Sequence, residues 1–237
     1  DTFAVGPVFG VVVALWSTRL TESLKPSDRR SVDLRSLART VGAILMTRRT
    51  LGNALALMFT SAAFLPYLGS SERMYGEIYG QGDTFFLWFA ISSIVMAGFT
   101  LASARIVRRI GARRTTAAAF GLLLVVAAVN VAVTVVSEGV PAFAFFVVGT
   151  ILVISLQTAL SPLLTSGALD EVGHVAGTAA STIGVISLLG GAVLSPLVDT
   201  AIGLTVTPFA VGFLVFSLAA AVAASWANKK SEFARIA

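Results

Sequence analysis

Residues 84–137 read TFFLWFAISSIVMAGFTLASARIVRRIGARRTTAAAFGLLLVVAAVNVAVTVVS, and the contrast inside that stretch decides the fold. Two apolar runs, Thr84 to Ala104 and Thr115 to Ser137, flank a short turn carrying Arg105, Arg108, Arg109, Arg113 and Arg114. Each run meets the ~20 residues that a helix needs to cross hydrocarbon at about 1.5 Å per residue. Arginines resist translocation, so the turn between the runs belongs on the cytoplasmic side. The pattern continues outward through Leu51 to Leu68, Pro141 to Leu164, Val175 to Val198 and Leu204 to Trp226. Loops between these runs alternate in charge, and of the 17 Lys and Arg only Arg73 lies in a segment that faces the other way. A multi-pass membrane protein with its C-terminus in the cytoplasm of a plasma or inner membrane is expected.

Composition points the same way. The chain is 56% hydrophobic and 12% charged, against roughly 25% charged in soluble proteins. Its net charge of +5 lies beside the expected membrane, where anionic lipid headgroups are simpler counterions than nucleic acid. With no cysteine, the chain has no disulfide, thiolate zinc ligand or thiol chemistry. One histidine excludes a two-histidine metalloprotease helix, and no Lys sits in a phosphate-cradling Gly-rich loop. No cofactor or metal is expected, and no enzyme activity.

The first apolar run, Phe3 to Trp16, would reach only about 21 Å as a helix, so residues 1–16 are read as a truncated span. Residues 17–50 form a long basic linker. Within it Leu34, Leu37, Ala38, Val41 and Leu45 recur at helical spacing, with Arg35 and Arg39 on another face. Such a stripe suits a helix lying in the membrane interface; a partner-binding helix is the alternative. Residues 51–226 are expected to form a six-helix bundle and 227–237 a cytoplasmic tail. Glu72, Glu77, Asp83, Glu138 and Asp199 are read as solvated charges in the opposite loops. No charged residue falls in the middle of a span, so no obvious proton-binding carboxylate is present.

Three segments resemble the Bcr/CflA-type drug:proton antiporters of the major facilitator superfamily. Thr21-Glu-Ser-Leu-Lys-Pro26 is similar to the segment after that family's sixth helix, and Ser70 to Gly80 to its external S-x-x-x-Y-x-x-x-Y-G loop. Gly173-His-Val-Ala-Gly-Thr-Ala-Ala-Ser181 resembles the opening of its eleventh helix. The family's basic loop motif is partly present: Arg109, Gly111 and Arg113 remain, whereas Ala104, Arg108 and Ala112 depart from it. The resemblance implies an all-α C-terminal six-helix bundle of a major facilitator fold, built as two inverted three-helix repeats. It further implies helices seven, eight, ten and eleven around a substrate cavity, and proton-coupling acids in an N-terminal half-bundle.

Polar and aromatic residues on those helices are the substrate-binding candidates: Asn53, Phe59, Thr60, Phe64, Phe89, Ser92, Gln157 and Thr158. Each amide or hydroxyl has a plainer reading as a hydrogen bond between packed helices, and Asn130 in the third span favours that reading. Phe85, Trp88 and Tyr67 suit either the cavity or an interfacial aromatic belt. Gly173, Gly177, Ser181, Gly184, Ser187, Gly191 and Ser195 step by three or four, as in a small-residue packing face. With Arg109, Gly111 and Arg113, the residues Gly177, Ser181, Gly184, Ser187 and Gly191 form the gating and packing set. Asp170 and Glu171 read as the electronegative opening of that helix, with His174 one turn on. The resemblance further implies export of drugs or small amphiphiles by alternating access with proton antiport. The expected partners are membrane lipid, a small-molecule substrate, protons and the N-terminal half-bundle, with no nucleic acid. A metabolite exporter of the same superfamily and a stand-alone membrane scaffold are the alternatives.

Overall fold

The computed structural model describes residues 10–13, 15–17, 19 and 34–229, and the chain divides into two units, 1–37 and 38–237. In the first, residues 10–13 and 15–17 are helical and exposed. Most of the predicted span at 3–16, the Thr21–Pro26 motif and the tail beyond 229 lie outside the described residues.

Helix α1 (Leu34–Met46) forms where the apolar stripe predicts it. Of the stripe, Ala38 and Leu45 stay exposed and Val41 is half-buried, while Ile44, outside the stripe, joins the bundle core. The bundle then follows as α2 (Arg48–Arg73), α3 (Phe85–Ile110), α4 (Ala112–Val136), α5 (Phe143–Leu169), α6 (Ala176–Leu194), the single turn α7 (Pro196–Asp199) and α8 (Thr207–Asn228). Six of the segments are long and apolar enough to cross a membrane. The helices outrun the apolar segments at their arginine-rich ends. The bundle begins at Arg48 rather than 51 and ends at Asn228 rather than 226, because Arg48 and Arg49 find partners there, described below. The fifth run breaks at Ser195, since Pro196 has no N–H to give the Ala192 carbonyl. The Ser195 hydroxyl donates to that carbonyl instead, at 3.5 Å.

Packing follows a regular rule. Helix α2 packs on α6 and α8, and α5 packs on α3 and α4. Exchanging α2-α3-α4 for α5-α6-α8 turns the first pair of contacts into the second. The α2–α5 and α4–α8 contacts map onto themselves. Because each triplet has an odd number of crossings, the second runs opposite to the first. This is the signature of two inverted three-helix repeats. The central pair, α2 and α5, is wrapped by the others, while α3 and α6 exchange with each other and are the least buried spans.

Candidate functional site

The polar side chains that the sequence singles out gather along the α2–α5 seam. Toward the basic end, Asn53 is buried and its Nδ2 donates to the Arg49 carbonyl at 2.8 Å. It lies against Gly167 of α5, where a Cβ would come within 3.3 Å of the amide. Two turns along α2, Thr60 Oγ1 donates to the Ala56 carbonyl at 2.8 Å. The Thr60 carbonyl in turn accepts Gln157 Nε2 at 2.6 Å, across the two helices. Gln157 Oε1 is buried without a protein donor. Beside it on α5, Thr158 is half-buried and turns back to the Ile154 carbonyl at 2.8 Å. On α3, buried Ser92 does the same to the Trp88 carbonyl. Hydroxyls that bond the preceding turn are satisfied as donors yet keep acceptor lone pairs.

The aromatic candidates separate. Phe64 meets Tyr67, Tyr67 stacks on Phe89 at 5.8 Å and Phe89 meets Phe85. From Phe85 the chain of rings runs through Tyr75 to Phe143 and Phe146, with Tyr79 against both of these rings and Trp88 against Phe143. Phe59 instead turns to the other side of α2 and stacks on Phe216 of α8. Tyr67 is 2% exposed, so it belongs to the core and not to an interfacial belt. The hydroxyls of Tyr75 and Tyr79 are buried without partners, whereas that of Tyr67 lies by the Ser92 side chain. Burial pushes the Tyr79 phenol up from its ordinary value, so it stays neutral and can donate. An aromatic wall with unpaired phenols and one amide acceptor can hold an amphiphile by stacking and a few hydrogen bonds. The described residues contain no cluster of three metal-ligating groups.

The gating candidates sit at the basic end and on α6. Gly111 is the entire link between α3 and α4. Its φ of 85° is reached freely only by glycine, and its N–H closes α3 on the Val107 carbonyl at 2.8 Å. Arg109 and Arg113 flank it, exposed. The small-residue series is not one continuous helix face: Gly173 lies in a 3₁₀ turn and Ser195 beyond the end of α6. Within α6, Gly191 presses on α2, where a Cβ would meet Ser61 Cβ at 2.5 Å. Buried Ala179 and Ile183, with Gly190 against Met58, continue the packed face. Gly177, Ser181 and Gly184 point elsewhere and are exposed, and Ser187 is half-buried. A Cβ at Gly177 or Gly184 would meet nothing within 4 Å.

Two readings of loop charges are corrected. Asp170 ends α5 and Glu171 follows it; neither caps α6, whose N-cap is Val175 with no side-chain bond. Asp170 pairs with Arg49 at 2.6 Å, and Glu171 lies 3.8 Å from the same guanidinium. The His174 side chain lies outside the described ones. Asp199 is not a solvated loop charge: it is half-buried and accepts the Ser70 hydroxyl. Arg73, the odd cation of the acidic side, donates to the Asp199 and Ile202 carbonyls at 3.2 and 2.8 Å. Arg48 completes the ties, donating to the Trp226 carbonyl at 2.9 Å with its guanidinium over the indole at 5.1 Å. Sequence reasoning missed these clamps because a partner more than a hundred residues away leaves no local signal. The misplaced sign of Arg73 was the one available hint.

No family profile matches the chain, and no solved structure matches it. The chain is similar to an uncharacterised MFS-type transporter, YdgK, of Bacillus subtilis, with 25% identity over 189 residues that cover 79% of this chain and 46% of the relative. The chain thus matches about half the length of that curated relative. With six helices long and apolar enough to cross a membrane, the described residues have the make-up of a multi-pass membrane protein, in keeping with that similarity.

Proposed function

We propose that these helices form the C-terminal half-bundle of a proton-coupled exporter of the Bcr/CflA type, acting on small, largely apolar compounds that include antibiotics. The observation that carries the proposal is the exchange relation of the packing, which leaves α3 and α6 equivalent and least covered. On α6 the uncovered face holds Gly177, Ser181 and Gly184, a smooth surface on which a second bundle can rock during alternating access. Substrate sits on the α2–α5 seam: Gln157 Oε1 accepts a hydrogen bond, Thr60, Ser92 and Thr158 offer lone pairs, and Phe64 and Phe89 supply apolar wall. Asn53 holds the basic end of that seam, and Phe59 supports it from the α8 side. Arg109, Gly111 and Arg113 form the turn that moves with the gate. Protons are carried by acids on the partner half-bundle. The similarity to a longer transporter, of which the matched residues cover 46%, supports that division.

The test is drug resistance conferred by the full-length protein carrying Gln157→Leu or Asn53→Leu. Loss of resistance at normal membrane abundance is expected for Gln157→Leu and a smaller loss for Asn53→Leu. Unchanged resistance in both removes the seam from the substrate path.

A further inference from the structure

A second feature lies away from the seam, on the outer side of the bundle between α4 and α8. A groove of about 420 Å³ opens there at the basic end. Its floor is apolar, formed by Ala117, Gly121, Leu124 and Ala221. Its rim carries Arg113 from the start of α4 and Lys229 from the end of α8. Leu124 is eleven residues from Arg113, so the floor extends roughly 16 Å along α4 from the cationic rim. Gly121 keeps the floor open: a Cβ there would meet nothing within 4 Å.

Among the described residues the charges on this rim have no counter-ion. The ion pairs among those residues are those of Arg49 with Asp170 and Glu171, and Arg48 is spent on Trp226. Arg113 and Lys229 both line this largely apolar trough, and no carboxylate is among its lining residues. Between them, Ser225 and Asn228 donate to their own helix, to the Val222 and Ala224 carbonyls at 2.8 Å each. Their oxygens are left as acceptors facing the rim. Two cations and two acceptors above a hydrocarbon-lined trough match a phosphodiester that also carries hydroxyls, with an acyl chain below. Long Lys and Arg side chains reach the headgroup level while their stems line apolar surface. Free phosphate has no use for the floor, and a second copy of this chain would bring like charges together. The larger cleft of about 580 Å³ among α3, α4 and α5 has an apolar lining with no cation. Its hydroxyls, Ser103 and Thr115, donate to the preceding turn and offer acceptors only, so with no charge beside them nothing singles out one class of occupant there.

We infer that the α4–α8 groove binds one anionic phospholipid of the phosphatidylglycerol kind, headgroup on Arg113 and Lys229 and acyl chain over Gly121. The site requires only that the bundle be in a membrane, and stands or falls independently of the transported compound. It also links α4 to α8, so a bound lipid would hold together the outer helices of the two repeats. Cationic residues near an anionic membrane surface attract such headgroups additively.

The experiment uses the full-length protein in phosphatidylcholine vesicles containing a phosphatidylglycerol with a diazirine in its acyl chain, followed by mapping of cross-linked peptides. Cross-links are expected on residues 117–124 and 221–224. They should fall on the order of tenfold in Arg113→Gln with Lys229→Gln, as expected from two lost surface cations. Gly121→Leu places a Cβ where nothing lies within 4 Å and its branch over the floor, so it should keep thermal stability and lose the same cross-links. Equal labelling by a diazirine phosphatidylcholine, or unchanged labelling in Gly121→Leu, overturns the proposal. Displacement of the lipid by excess inorganic phosphate would show a simple anion site and overturn it too.

Discussion

Helices α5 and α3 are nearly equal in length and both apolar, yet they face opposite surroundings. Buried residues of α5 include Ile151, Ile154, Leu156, Leu160 and Leu164, whereas α3 buries only Ser92 and Ser103. Ile154 is 0% exposed and Ile94 is 72% exposed. In water the arrangement of α3, apolar outside with hydroxyls buried, would be inverted. In a membrane, lipid tails are as apolar as a leucine core, so burial gains little for a hydrocarbon side chain and packing decides. Polar hydroxyls turn inward because hydrocarbon gives them nothing to bond. The difference between the two helices is therefore one of position: α5 is a hub of the repeat exchange and α3 a rim.

The most demanding check is a matched pair of truncations. Ile154→Ala should cost about 3 kcal/mol through the cavity it leaves, and Ile94→Ala less than about 0.5 kcal/mol because lipid refills its space. Reversible unfolding in mixed micelles measures both, and equal costs would break the hub-and-rim account. A glycine pair sharpens it on α6. Gly191→Leu drives a side chain into Ser61 and should cost about 2 kcal/mol. Gly184→Leu, where a Cβ meets nothing within 4 Å, should leave stability unchanged while abolishing transport if the proposed second bundle rocks on that face. At the two ends, Arg73→Ala removes the donor to the Asp199 and Ile202 carbonyls and should cost about 1.5 kcal/mol. Arg49→Ala breaks an exposed pair and should cost only about 0.5 kcal/mol, an effect that rising salt removes.

Span number, span type and the basic faces of the turns were all legible, since hydropathy and charge act locally along the chain. The role of each span was not. The α3 and α5 sequences carry similar apolar runs, and only the contacts reveal which is wrapped. Gln157 and Thr60 were picked for their chemistry at membrane depth, and the structure joins them. Phe59 and Phe64, five residues apart on α2, were grouped by type, and helical geometry sends one to Phe216 and the other to Tyr67. Ionic ties failed for a related reason. Asp170 looked like a cap because sequence reading favours the nearest helix, whereas its guanidinium partner is brought in by the α2–α5 crossing.

The account's central claim is a proton-coupled exporter, and inside-out vesicles test it most directly. Full-length protein should drive accumulation of an apolar fluorescent drug when the vesicle interior is made acidic. An ionophore that dissipates the gradient should abolish accumulation, and Gln157→Leu should reduce it at least tenfold. Accumulation indifferent to the gradient would contradict proton coupling. No accumulation of any apolar compound by a folded, correctly inserted protein would contradict the exporter itself.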